Sequence, residues 1–457
     1  MESKNETHFA SLTKSIGKFQ LHSKTVLIPE MNRIAAHLVA ATFKSFGIHA
    51  RVLETYKGLD MGKKHTSGKE CFPCQITMGD VLFFLKQEQE KLGPAFDPQN
   101  YLYFLPEADG PCRFGMYNKY QRMVLDSFPG LEQVKIVSIT ATDGYSLEGL
   151  IEQDRMLDFR KASYIAVVVA DILERLLWRI RPYEKQKGIT DDFIEGSMQE
   201  MESFFEIHGV DNDFGRILDK LEEIIKQAKT LIDPMIPKKP LIGIVGEIFL
   251  RMHVNANQNL IRVLERHGAE VVNASLAEWV NYITYGQLRE SKHHFRLNLM
   301  QFNFTRLKSD LQKMLSSRAD LFYQEMRQRQ FYKRATHLID LEHDHKVGHL
   351  ERLLKKEDIF TFDVTTETCL SIAAILQFAK EGYNGVVNVY PFTCMPGITT
   401  SAIIKPVMNR MRIPYLDTPY EASIQPGRET AIRTFMHQAT QHFQRNGRKG
   451  SIQKRAA

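Results

Sequence analysis

One layout recurs four times along the chain: an apolar run, a short polar or glycine-bearing loop, then a helical pattern. The runs are KTVLIP at 24–29, YLYFL at 101–105, PLIGIVG at 240–246 and GVVNVY at 385–390. Helical patterns follow at 34–46, 114–128, 257–267 and 399–411, and further short apolar strands are expected at 50–53, 134–139, 269–272 and 413–416. A strand with one wet face alternates apolar and polar residues, so an unbroken run needs cover on both faces. The pattern therefore predicts an α/β fold of two doubly wound lobes with parallel sheets. In such sheets ligands bind outside the C-terminal ends of the strands.

The rest of the chain divides around these lobes. Residues 1–153 form the first lobe, 154–236 a helical region ending in the proline-rich linker DPMIPKKP, and 237–285 with 358–444 the second lobe. Residues 286–357 are a charged helical insertion. Its aromatic residues Phe295, Phe302, Phe304, Phe322, Tyr323, Phe331 and Tyr332 are expected to pack a small core of their own, and His337, His343, His345 and His349 to lie on a solvated helical face. Residues 445–457 make a basic tail, expected to be frayed, whose Arg445, Arg448, Lys449, Lys454 and Arg455 account for five of the six net positive charges. The body is near neutral, so no basic face for nucleic acid is expected. The opening residues MESKNETHFASLTKSIG lack the apolar core of a leader, and Asp171, Glu174 and Arg175 interrupt the most apolar helix, at 164–178. A cytoplasmic protein with reduced thiols, not bound to membrane, is expected.

The five cysteines are the most informative residues. Cys71 and Cys74 precede a helix expected at 75–92, while Cys112 and Cys394 each sit between a strand and a helix. All four belong to the loops that gather at the ligand-binding edge of such sheets. Helix N-termini favour anions and lower thiol pKa values, and soft thiolates select zinc, copper(I) or iron–sulfur clusters. Structural zinc sites pair two C-x2-C knuckles; here one pair is joined by two distant singletons, which favours a cluster bridging the lobes. A thioredoxin-like dithiol at CFPC leaves Cys112 and Cys394 without a role. A phosphate loop fails because GKKHTSGK has five residues between its glycines and Glu70 follows where Ser or Thr is required. Cys369 lies in an amphipathic helix and is expected in the core.

Neighbouring residues admit two roles each. Glu247, at a strand end, either accepts a proton or binds a ligand, or caps a helix and pairs with Arg251. Arg113 either sits behind Cys112 as a cationic partner of the site or pairs with Glu107 or Asp109. Asn257 is expected to cap a helix, with Asn255 in the same loop; Tyr117 and Asn118 are expected to be packing and helix surface.

Four segments carry a resemblance: SGKECFPC, LPEADGPCRFGMYNKYQRMVLD, GEIFLRMHVNANQNLIRVLERHGAEVV and YPFTCMPGITTSAIIKPVMNRMRIPYLDTPYEAS. Together they resemble the 2-hydroxyacyl-CoA dehydratase superfamily, and most closely its acyl-CoA dehydratase activase-related branch. There a similar module forms the C-terminal part of longer chains fused to ATPase domains. The resemblance spans most of residues 20–440. It implies two flavodoxin-like lobes with a [4Fe-4S] cluster in the inter-lobe cleft. It also implies a low-potential electron delivered by a separate ATP-dependent activase, life in an anaerobe's cytoplasm, and a homo- or hetero-dimer. Cys71, Cys112 and Cys394 match the cluster cysteines best. Cys74 is a candidate fourth ligand, whereas the dehydratases resemble a three-cysteine arrangement with one iron open to substrate. No Cys-Cys dipeptide occurs, so a double cubane is not expected. The expected function is an iron–sulfur redox protein passing an electron to a substrate of the acyl-CoA class. The alternative is a non-catalytic relay, or a regulatory or assembly subunit that binds a partner ATPase.

Overall fold

A computed structural model describes residues 14–108, 110–211 and 213–448. Two parallel sheets organise it. The first runs β1 (Ile16–Gly17), β5 (Lys135–Val137), β4 (Tyr101–Phe104), β2 (Thr25–Ile28), β3 (His49–Val52) in spatial order. The second runs β7 (Glu270–Asn273), β6 (Leu241–Gly246), β8 (Gly385–Pro391), β9 (Tyr415–Tyr420). Every pairing is parallel, with Val26 opposite Leu102 and Ile244 opposite Val387.

The unbroken apolar runs have the cause expected of them. Val26, Ile28, Leu102 and Val137 enter a core shared with the helices Arg33–Ser45 and Gln153–Ile180. Their neighbours Leu27, Tyr101, Tyr103 and Ile136 enter a second core beneath the helix Phe72–Leu92. The second sheet repeats this arrangement, with Leu241 and Val386 on one face and Ile242, Ile244 and Val387 on the other. In each sheet the chain moves from the first long strand to one neighbour (β2 to β3, β6 to β7), then crosses to the opposite side (β4, β8). That reversal opens a crevice beyond the C-terminal ends of β2 and β4 in one lobe and of β6 and β8 in the other.

The helical segments depart from expectation. Phe331 and Tyr332 do not form a separate insertion core; they join the large core around the helix Gln153–Ile180, with Met198 and Leu221. Phe302, Phe304 and Phe322 remain mostly exposed. The reason is geometric: the helices Leu276–Met300 and Phe304–Leu338 form a long hairpin, and only its base reaches the body. That base is pinned by polar groups. Asp171 accepts the amides of Leu276 and Ala277 at 2.9 and 2.8 Å, so one helix caps another. Arg175 forms a buried ion pair with Asp344, which also accepts from Ser275 (2.6 Å) and Gln328 (2.7 Å).

Two further expectations are corrected. His345 is not on a solvated helical face: it lies in a loop and pairs with Glu381 at 2.7 Å. The basic tail is not frayed at its start, because a helix continues to Asn446 and Arg448 pairs with buried Glu270. Lys449, Lys454 and Arg455 lie outside the described residues. Among the described residues no helix is long and apolar enough to cross a membrane.

Candidate functional site

Three of the cysteines head helices at the crevice. Cys71 is the N-cap of Phe72–Leu92, which begins three residues before the expected start. Cys112 precedes the 3-10 turn Arg113–Met116, which leads into the helix Tyr117–Asp126. Cys394 is the N-cap of Met395–Met411. Cys112 follows β4 and Cys394 follows β8, so the two occupy equivalent places in the two lobes. Proline at the first or second helical position after Cys71 and Cys394 suits these starts, where a missing N–H costs nothing.

Arg113 ties the three loops together. Its guanidinium donates to the carbonyl of Lys69, to Thr393 O at 2.9 Å and to Thr393 Oγ1 at 3.3 Å, and stands 3.8 Å from Cys71 Sγ. One side chain thus joins the residues before Cys71, after Cys112 and before Cys394. Glu107 bonds instead to Asn118 and Lys119. Asp109 lies outside the described residues.

The backbone is strained at two of these places. Cys71 has φ 101° and ψ 147°, a region that glycine alone enters freely, at a cost of about 1–3 kcal/mol for other residues. Thr393 has φ 67°. Such strain persists only where surrounding contacts fix it.

The helix termini do not decide the thiol chemistry. First-turn amides of Phe72, Phe114 and Gly397 favour the thiolates, as helix N-termini should. Burial outweighs them and pushes Cys71 up to about 11 and Cys112 up to about 12, with Cys394 also raised. The charge of Glu247 raises all three, and the charge of Cys71 acts on both Cys112 and Cys394.

Cys74 is placed differently. It is fully buried in the first lobe's core, 3.9 Å from Gln121 Nε2, and burial raises it to about 12. Cys71 is the cysteine whose charge reaches it. Cys369 lies in the second lobe's core, 3.1 Å from Thr366 O and 3.4 Å from the Tyr282 hydroxyl.

Glu247 caps the short helix Ile248–Met252 through the amides of Phe249 (3.1 Å) and Leu250 (2.9 Å), and it also stands near the cysteines. Its position follows from Gly246, where φ is +120° and a Cβ would come within 2.0 Å of Val389 O. Asn257 accepts from Leu260 N and donates to Leu250 O, a capping role; Asn255 is exposed.

Three residues near the site were not assigned to it from the sequence. Glu367 is half-buried, accepts the Ile248 amide at 3.2 Å and is raised first by desolvation, then by the charge of Glu247. Tyr117 is buried with its hydroxyl toward Cys71. Asn118 is not helix surface; it is buried and donates to Ser138 Oγ at 2.7 Å.

A second bridge between the lobes lies nearby. His253 Nδ1 accepts the Ala256 amide at 3.1 Å, which places the ring proton on Nε2. Nε2 then donates to Thr55 Oγ1 (2.7 Å), and that hydroxyl donates to Asp80 Oδ2 (2.8 Å). Burial lowers His253 to about 4 and raises Asp80 to about 7.

Among the described residues no group of three His, Cys, Asp or Glu side chains is placed to hold a single metal ion. No protein-family model matches the chain, and no curated protein matches it.

Proposed function

We propose that the chain is an iron–sulfur redox protein of the 2-hydroxyacyl-CoA dehydratase type, with one [4Fe-4S] cluster held by Cys71, Cys112 and Cys394. The observation that carries this reading is the joining of three cysteine-headed helix starts from both lobes by one guanidinium, that of Arg113. The strand order supports it. Each sheet has the central reversal of a flavodoxin-like lobe, and Cys112 and Cys394 follow β4 and β8, which flank it. The donor set suits a cluster better than a structural zinc: the three sulfurs come from two lobes, and the chain has no second C-x2-C knuckle to pair with Cys71 and Cys74.

When bound, such a cluster supplies a one-electron carrier at low potential. The protein's own residues position it. Arg113 and the first-turn amides offset the negative charge of thiolate ligands, and Tyr117 donates toward Cys71. Glu247 takes or gives a proton beside the site, and Glu367 holds its loop. Cys74, buried within the first lobe, is the candidate fourth ligand. The electron's source would be an ATP-hydrolysing partner, and its destination a substrate of the acyl-CoA class.

Anaerobic reconstitution with iron and sulfide tests the proposal. The expected result is about four irons and four sulfides per chain. They should be lost in Cys71→Ala, Cys112→Ala or Cys394→Ala and kept in Cys369→Ala. In Cys74→Ala, retained iron with an altered EPR spectrum assigns it as a dispensable ligand. An EPR spectrum of the reduced protein perturbed by acyl-CoA thioesters indicates catalysis; an unchanged one indicates a relay. One equivalent of zinc without iron refutes the cluster.

A further inference from the structure

The helical hairpin carries a face that the fold leaves uncovered. On the helix Phe304–Leu338, Phe304, Leu311, Leu315, Phe322 and Met326 succeed one another at intervals of seven, four, seven and four residues. That spacing keeps them on one side of the helix, within a strip about 60° wide at 100° per residue. All five are exposed, Phe304 by 67%, Leu315 by 56% and Phe322 by 68%. The helix meets the body's core through a different side, that of Phe331, Tyr332 and Ala335.

Charge around this strip has one sign. Lys308, Arg318, Arg329 and Lys333 flank it and are exposed. The three acids of the helix are engaged elsewhere: Asp310 with Asn298 (2.7 Å), Asp320 with Arg160 (2.9 Å) and Glu325 with Lys346 (2.6 Å). The result is an apolar seam with basic margins.

We infer that this seam docks an acidic amphipathic helix of another protein, with apolar side chains at seven–four spacing and Glu or Asp beside them. Three considerations select that occupant. An apolar repeat of eleven residues keeps one seam along a helix, as the packing of helix on helix requires. A strip this narrow is a coiled-coil seam, whereas a helix lying on lipid presents a broad apolar face. A second copy would oppose basic margin to basic margin, which like-charge repulsion penalises. The inference is independent of the iron–sulfur reading.

The test uses the whole chain and a labelled peptide of about thirty residues, with Leu repeating at intervals of seven and four residues and Glu beside each Leu. A control peptide carries Lys in place of Glu. Binding is read by fluorescence anisotropy. The Glu peptide should bind, lose affinity as salt rises, and lose at least about tenfold in the double variant Leu315→Glu, Phe322→Glu. The Lys peptide should not bind. Both substituted residues are exposed, and circular dichroism checks that the fold is kept. Failure of the Glu peptide to bind, equal binding of the two peptides, or an unaffected double variant overturns the inference. So does self-association in sedimentation, or binding to phosphatidylserine vesicles, if the same substitutions abolish it.

Discussion

Acidification should act on the His253–Thr55–Asp80 bridge in two opposed ways that substitution can separate. His253 falls from an ordinary 6.5 to about 4 because it is buried. Between those values the unfolded chain binds the extra proton, so this group's contribution to stability is lost as pH falls from 6.5 toward 4. From pH 8 to pH 5 the loss is about 2 kcal/mol, at about 1.4 kcal/mol per pKa unit. Asp80 is raised from 3.8 to about 7, again by burial. Here the folded chain binds the extra proton, and the same acidification adds about 2.5 kcal/mol. The wild-type bridge is therefore nearly insensitive to pH. His253→Gln, which keeps a donor for Thr55, should gain about 2 kcal/mol relative to wild type from pH 8 to pH 5. Asp80→Asn should lose about 2.5 kcal/mol over the same interval. Urea unfolding of the three proteins at both pH values measures the differences, and groups common to all three cancel. Differences of the same sign in both variants, or none in either, would refute the reasoning.

Three other outcomes follow from particular contacts. Cys71→Gly should be more stable than Cys71→Ala by about 1–3 kcal/mol in denaturant unfolding, because glycine alone relieves φ 101°. Asp344→Ala leaves Arg175 charged and buried, so it should cost about 3–5 kcal/mol; the double variant Arg175→Met, Asp344→Leu should recover most of that in the same assay. Arg113→Lys removes the fork that reaches two loops at once, and should weaken iron retention against a chelator about ten- to a hundredfold without unfolding the protein.

What the sequence reveals here depends on which forces are local. The strands β6 and β8 are legible because burial on both faces forces Leu241–Gly246 and Gly385–Pro391 to be apolar throughout. The pair Ile16–Gly17 is not legible, since it joins the first sheet by two residues of backbone pairing to β5 and needs no pattern of its own. The cysteines stand out because few residue types do their chemistry. Glu367 does not: a glutamate in a first helical turn is ordinary, and only the return of the second lobe after the hairpin places it beside Glu247. The aromatic residues of the hairpin mislead for a related reason. Apolar periodicity reports that a face is suited to burial, not that the same chain buries it. Phe331 and Phe322 lie on one helix, and only Phe331 meets the body.

The same separation of local from tertiary forces governs the cysteines' chemistry. Locally, each of the three heads a helix or helical turn, and that alone points to a lowered thiol pKa. The tertiary structure then buries them and brings in Glu247, and both effects favour the neutral thiol. In the protein alone the thiols are therefore protonated at neutral pH, and the helix amides and Arg113 face sulfurs that carry no charge. Those groups become stabilising once the sulfurs are anionic, which metal ligation requires and which releases protons. The site combines a strained N-cap at Cys71, an arginine spanning both lobes and three sulfurs at helix starts, Cys71 and Cys394 buried and Cys112 half-buried. Their common effect is to leave the sulfurs neutral in the protein alone and to offset thiolate charge once a cationic group is bound, as the proposed cluster would require.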